Sequence, residues 1–254
     1  MPPAIIHVKD LVVDYKTRHG VVRALNGISL DVAPGECVGF IGPNGAGKSS
    51  TLKTLMGFHF PTSGTVQLFG CAPGDIHSRT RTGYLPEVSL YYPFMKGREL
   101  LELYGGLQGL SRAELKQRIP GLLERVGLGG RGETLIREYS KGMQQRLGIA
   151  QAIIAEPDLL IFDELSSGLD PVGRYDLRQV LLDLKSRGAT IFFSSHELYE
   201  VEALCDRIVV INQGRIIAQE SVPQLLSILG QTSLEEYFMD LIRPGIGSHS
   251  LERV

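Results

Sequence analysis

The chain has 254 residues, 43% of them hydrophobic, with a formal net charge of −2. That is enough material for one large α/β domain or two small ones with a sizeable core. It excludes a strongly basic surface of the kind a nucleic-acid binder needs, and no apolar run approaches the roughly 18 residues of a membrane span, so a role at a membrane would run through a partner.

Residues 5–15 place Ile6, Val8, Leu11, Val13 and Tyr15 in a loose alternation that predicts a strand. Residues 16–24 are polar with Gly20, a turn into a second strand at 21–32, which makes an antiparallel β region. Pro34-Gly35 is a turn signal. The run Cys37-Val38-Gly39-Phe40-Ile41 reads as a buried strand and leads into Gly42-Pro43-Asn44-Gly45-Ala46-Gly47-Lys48-Ser49-Ser50. Residues 49–58, with Leu52, Leu55 and Met56, read as a helix. Strand, glycine-rich loop and helix make this G-x-x-x-x-G-K-[ST] match a P-loop rather than a glycine turn beside a surface lysine. Gly42, Gly45 and Gly47 let successive N–H groups turn inward as an anion nest, and the helix N-terminus adds free donors. Lys48 is placed to reach the β- and γ-phosphates of a bound nucleotide, and Ser49 to ligate Mg²⁺. Tyr15, at a strand end ahead of this loop, either stacks on an adenine or is a half-exposed strand tyrosine; both readings stand.

Pro61-Thr62-Ser63-Gly64 is a turn, 65–70 a strand, 71–80 a polar loop, and 82–87 closes the first half. Between 88 and 155 the spacing changes: Leu100, Leu101, Leu103, Tyr104, Leu115, Ile119, Leu122, Leu123 and Val126 recur every three or four residues, predicting an inserted helical subdomain. The strand-and-helix pattern then returns. Residues 158–162 and 190–195 are apolar strands, 172–186 and 197–204 helices, and 207–212 with 215–219 strands around Gln213-Gly214. Continuous apolar strands alternating with helices predict a parallel sheet covered on both faces. The stretch from Arg243 to Val254 is polar and expected to fray. The expected organisation is β region and core at 1–87, helical subdomain at 88–155, core again at 156–220, and a helical tail at 221–254.

The three cysteines, Cys37, Cys71 and Cys205, are odd in number and far apart in sequence, which fits free thiols in a reducing compartment and speaks against a disulfide framework. The six histidines are scattered without zinc-ligand spacing. The N-terminus lacks the basic stretch and long apolar core of a secretory leader.

Chemistry concentrates at strand ends. Asp163 and Glu164 follow four apolar residues, and in an α/β sheet the C-terminal strand ends line the ligand crevice. Asp163 suits Mg²⁺ opposite Ser49, and Glu164 suits holding and deprotonating a water. Asp170 reads as a helix cap. His196, ending the next strand, could hydrogen-bond a γ-phosphate oxygen.

In order along the chain stand Walker A at 42–49, Tyr139-Ser140-Lys141-Gly142-Met143-Gln144-Gln145-Arg146, Walker B at 159–164, Ser167-Gly168-Leu169-Asp170 and Ser194-Ser195-His196. This set resembles the nucleotide-binding subunit of an ABC transporter over about residues 5–240. The resemblance implies a P-loop NTPase core of RecA-like type, with an N-terminal antiparallel β region and an inserted helical subdomain. It implies ATP and Mg²⁺ as ligands. Tyr15 would be the adenine-stacking aromatic. Ser140 and Gly142 would bind the γ-phosphate held by a partner subunit. Asp163, Glu164, Asp170 and His196 would be the Walker B aspartate, catalytic base, D-loop and H-loop residues.

Three positions depart from the family's commonest form. The signature reads Tyr-Ser-Lys-Gly-Met instead of Leu-Ser-Gly-Gly-Gln, keeping Ser140 and Gly142. The Q-loop position, normally glutamine, is Glu87, whose carboxylate can still ligate Mg²⁺ while adding negative charge beside the phosphates. Leu165-Ser166-Ser167 replaces the usual lead into the D-loop. The Tyr84-Leu85-Pro86-Glu87 run, the signature and Ser233–Phe238 resemble exporter subunits of the ABC-2 class. The resemblance implies a head-to-tail pair with a second copy or homologous ATPase subunit. It also implies a separate transmembrane permease docked on the segment around Glu87 and 88–100, no nucleic-acid partner, and a place on the cytoplasmic face of the membrane. The competing reading is a soluble ABC-type ATPase acting in assembly or remodelling without a permease, such as one of the iron–sulfur assembly type; a metabolic P-loop kinase is a more distant third.

Overall fold

The computed structural model describes residues 3–18, 20–165, 168–229 and 233–243. Ser166, Ser167 and the polar stretch after Arg243 lie outside the described residues. In chain order come β1 (Ile6–Thr17), β2 (Gly20–Val32), β3 (Cys37–Ile41), α1 (Lys48–Leu55), β4 (Ser63–Leu68), α2 (Ile76–Thr80) and β5 (Thr82–Leu85). Then follow α3 (Gly97–Leu107), α4 (Arg112–Arg125), a 3₁₀ turn (Ile136–Glu138) and α5 (Lys141–Ile153). The chain continues through β6 (Leu159–Phe162), α6 (Pro171–Ser186), β7 (Thr190–Ser195), α7 (Leu198–Leu204), β8 (Arg207–Asn212), β9 (Arg215–Ser221), α8 (Val222–Leu229) and α9 (Leu234–Ile242).

The strands form two sheets, β2-β1-β4 and β5-β6-β7-β3-β8-β9. The first is antiparallel; in the second every pairing is parallel except β8 with β9. In β1 the apolar spacing steps by two except between Val8 and Leu11. A bulge sits there, with Asp10 at φ 50°, and the extra residue returns Leu11 and Val13 to the buried face. In the larger sheet the apolar runs are buried on both faces, as continuous strands require. Phe40, Ile161, Phe192 and Val209 pack toward the antiparallel sheet and α1, while Ile41, Phe162, Phe193 and Val210 pack among the helices that follow.

The helical segment between β5 and β6 holds Leu100, Leu101, Leu115, Ile119, Leu123 and Val126 in the core, but Leu103 is exposed. Two local expectations are corrected. The stretch 71–80 is not all loop, because Asp75 accepts from the N–H of His77 and starts the short α2. The helix after the glycine-rich loop ends at Leu55 rather than 58, with Gly57 at φ 73° turning the chain. The cysteines, far apart in sequence, are not all far apart in space: Cys37 on β3 and Cys205 after α7 are buried free thiols with sulfurs 4.0 Å apart. Burial pushes the Cys205 thiol well above the usual range, and the hydrogen bond with Cys37 adds to it.

Candidate functional site

Because β3, β5, β6 and β7 run parallel, their C-terminal ends gather on one edge of the sheet. β3 delivers the glycine-rich loop, β6 delivers Asp163 and Glu164, β7 delivers His196, and β5 delivers Glu87. A cleft of about 250 Å³ opens there, lined by the 43–50 loop, Ala24, Glu87 and Glu164.

The loop has the geometry its glycines dictate. Gly45 and Gly47 adopt φ 78° and 113°, which L side chains rarely do. Gly42 is needed for room: a Cβ there would lie 2.2 Å from the Ile211 carbonyl oxygen. Ala46 is buried, and its N–H donates to the Pro43 carbonyl, closing the turn. Lys48 begins α1 and is almost fully buried; its Nζ donates to the carbonyls of Gly42 at 2.7 Å and Pro43 at 3.4 Å. α1 has no acidic residue in its first turn and no side-chain cap, so no carboxylate of its own helix competes for the N-terminal dipole and N–H groups that face the cleft.

The carboxylates divide by backbone conformation. Asp163 is buried, and its Oδ1 accepts from Ser49 Oγ at 3.1 Å and Ser194 Oγ at 2.8 Å. Glu164 sits at φ 57° and points elsewhere. Its Oε1 is 3.8 Å from Lys48 Nζ, and its Oε2 is 2.5 Å from His196 Nδ1. Nearby, burial and then the Asp163 charge push the Tyr84 hydroxyl up to about 12. A serine hydroxyl beside a buried carboxylate is a hard-oxygen pair suited to Mg²⁺. No group of three or more His, Cys, Asp or Glu forms a metal cage among the described residues, and a cation completed by phosphate and water does not need one.

The other sequence candidates lie off this cleft. Tyr15 is half-buried, its hydroxyl donates to Ser50 Oγ at 3.1 Å, and its ring stands edge-on to His59. Ser140 caps α5, accepting from the Met143 N–H, and is exposed; Gly142 lies against the Gly168 carbonyl, where a Cβ would sit at 3.5 Å. Neither is among the cleft's lining residues. Asp170 caps α6 through the Gly173 N–H. Sequence reasoning missed Ala24, Gln145 and Ser194. Gln145 is buried and donates to the Leu165 carbonyl at 2.9 Å, tying α5 to the loop after β6. A polar residue inside an apolar helix face was the available signal for Gln145, and a hydroxyl ending an apolar strand was the signal for Ser194.

A family model described as ABC transporter matches residues 25–167, more than half of the chain. A protein of Nostoc sp. named as an uncharacterised ABC transporter ATP-binding protein is 45% identical over 229 residues, covering 88% of this chain and 68% of that protein. Nod factor export ATP-binding protein I of Ralstonia nicotianae is 38% identical over 229 residues, covering 89% of this chain and 71% of that protein. A solved structure described as the ATP binding subunit of an ABC transporter superposes with a TM-score of 0.84 at 34% identity, covering 93% of this chain and 99% of the other. With its P-loop NTPase fold and its glycine-rich loop at the sheet's C-terminal edge, the chain belongs to the ABC transporter family, as one of its ATP-binding subunits.

Proposed function

We propose that the chain is a Mg²⁺-dependent ATPase that works as a head-to-tail pair and drives a separate export permease from the cytoplasmic face of a membrane. The observation that carries this is the division of the site. One cleft gathers the glycine-rich loop, Glu87 and Glu164, while Ser140 and Gly142 lie elsewhere on the chain. A second subunit's signature would complete each cleft, so closure around ATP joins two chains. The exporter assignment is supported by likeness to the Nod factor export protein.

In this reading the loop N–H groups and Lys48 Nζ bind the β- and γ-phosphates, and Tyr15, beside Ser50 at the loop's exit, offers its ring to the adenine. Ser49, Asp163 and Glu87 would hold Mg²⁺ beside the phosphates, where it would supply charge neutralisation. Glu164 orients a water and takes its proton as the oxygen bonds the γ-phosphorus; the bond from that phosphorus to the β–γ bridging oxygen breaks, leaving ADP and phosphate. His196 Nδ1, against Glu164 Oε2, holds that carboxylate in place and brings its ring to the γ-phosphate side. Asp170, capping α6 beside Gly168, sets the D-loop toward the partner.

Among the described residues no helix is long and apolar enough to cross a membrane. A groove of about 660 Å³ beside the Glu87 segment, lined by Met56, Phe58, Pro86, Leu90, Tyr104 and Leu107, supports the permease dock. Phe58, Leu90 and Leu107 are exposed there, as an unpartnered docking surface would be.

Glu164→Gln tests the reading. Glutamine keeps the size but cannot accept a proton, so hydrolysis should fall by about 10²–10⁴-fold while ATP stays bound. Size-exclusion chromatography with Mg-ATP should show the variant as a dimer where the wild type is mostly monomer. Wild-type turnover by the variant would place the base elsewhere.

A further inference from the structure

The hydroxyl of Ser194 is buried at the end of β7, in a strand whose preceding residues are Ile191, Phe192 and Phe193. A hydroxyl in such surroundings costs free energy unless it is bonded, and this one is bonded twice. It donates its single proton to Asp163 Oδ1 at 2.8 Å and accepts from the Glu164 N–H at 2.9 Å. Resting on the reading of Glu164 as the base, we propose that Ser194 is a positioning residue for hydrolysis, fixing Glu164 relative to Asp163.

The sheet itself shows why such a clamp is needed. β6 and β7 pair in register only as far as Phe162 and Phe193. Beyond that, Asp163 turns its N–H to the Leu85 carbonyl on the other neighbouring strand. The Glu164 N–H, with no ladder carbonyl to meet, is taken by the Ser194 hydroxyl, and the Leu165 N–H by the Ser194 carbonyl at 3.3 Å. The departure of the chain from the sheet is therefore held by Ser194 from two sides.

That departure is also where strain sits. Glu164 occupies φ 57°, a left-handed conformation unfavourable for a non-glycine residue, and it persists only because its surroundings hold it. The left-handed turn separates two consecutive carboxylates, sending Asp163 to Ser49 and Glu164 to Lys48 and His196. A hydroxyl joined to the side chain of one and the backbone of the other fixes their relative placement. Ser195 has no such part: its hydroxyl accepts from the Glu197 N–H in a local turn.

The test uses the full chain with Ser194→Ala, Ser194→Thr, Glu164→Gln and the double variant Ser194→Ala/Glu164→Gln. Alanine removes the clamp with little change of shape. Steady-state hydrolysis should show kcat down by about tenfold to a hundredfold, the scale of a misplaced catalytic group. KM for ATP should stay within about twofold, since the Ser194 hydroxyl bonds Asp163 and the Glu164 N–H and no group of the glycine-rich loop. Threonine restores the hydroxyl and should recover kcat to within about threefold of wild type. In the Glu164→Gln background Ser194→Ala should lower the residual rate no further, because a residue acting through Glu164 has nothing left to position. Wild-type kcat in Ser194→Ala, a matching rise in KM, or additive losses in the double variant would overturn the proposal. Wild-type hydrolysis by Glu164→Gln would instead overturn the base reading on which it rests.

Discussion

Gly47→Ala and Gly45→Ala differ in what the structure makes them cost. At Gly47 the backbone sits at φ 113°, ψ 4°, and a Cβ would meet Leu25 Cδ2 at 2.7 Å and the Ala24 carbonyl oxygen at 2.9 Å. Backbone strain of about 1–2 kcal/mol adds to an overpacking cost of about 1–3 kcal/mol, because a backbone oxygen cannot move aside as a side chain can. The sum, about 2–5 kcal/mol, lowers the unfolding midpoint of a chain this size by about 10 °C. At Gly45, φ is 78° and nothing lies within 4 Å of the added Cβ, so only the strain remains, about 1 kcal/mol and about 3 °C. Calorimetry of both variants without nucleotide, beside ATP titrations, reads the difference. Gly47→Ala should also lose nucleotide, since relief of the clash moves the first turn of α1 and Lys48 with it. Equal midpoints for the two variants would refute the steric argument.

Glu87→Gln removes one negative charge from the cleft; folding and ATP binding should persist while the Mg²⁺ concentration for half-maximal hydrolysis rises, and superimposable Mg²⁺ titrations would place Glu87 away from the metal. Thiol labelling of the native chain should modify Cys71 quickly and Cys37 and Cys205 only on unfolding, because those two are buried and the Cys205 thiol is pushed up; three fast thiols by mass would contradict the packing. Tyr84 and Tyr91 are pushed up to about 12, mainly by burial, so between roughly pH 10 and pH 12 the unfolded chain gives up their protons first and stability falls as pH rises. Urea midpoints across that window should decline less steeply in Tyr91→Phe, and an unchanged slope would show that burial of Tyr91 is not the cause.

The parts of the site legible in the sequence are those fixed by local order. A glycine-rich loop between an apolar strand and a helix states its own geometry, and acidic residues after an apolar run state their place at a strand end. The alternation in β1 was legible even to its irregular step, which the bulge at Asp10 explains. Ser194, Gln145 and the Cys37–Cys205 pair were not, because each acts through a residue 20 to 168 positions away and only the packed sheet decides which distant groups meet. Asp170 was legible in both its guises, as cap and as loop residue, and the structure displays the cap. Tyr139, where the family commonly has leucine, also needed the structure. It is buried, its hydroxyl donates to the Arg131 carbonyl at 2.8 Å, and it lies so close to Gly97 that a Cβ there would stand 2.3 Å from the phenol oxygen.

That contact bears on how the signature and the cleft are joined. Tyr139 anchors the start of α5 to the helical segment through Arg131 and Gly97, while Gln145, inside the same helix, anchors it to the loop after β6 through Leu165. Arg146 adds a third tie, donating to the Val126 carbonyl and pairing with Asp176 on α6. α5 is thus tied both to the helical segment and to the loop after β6. Its N-terminus meanwhile has an exposed serine cap, no acid in its first turn, and an exposed Lys141. Such an end attracts an anion, yet the chain's own phosphate loop lies at a different place on the fold. Gln145 therefore joins the helix that begins beside Ser140 to the residue that follows Asp163 and Glu164, through one buried amide hydrogen bond.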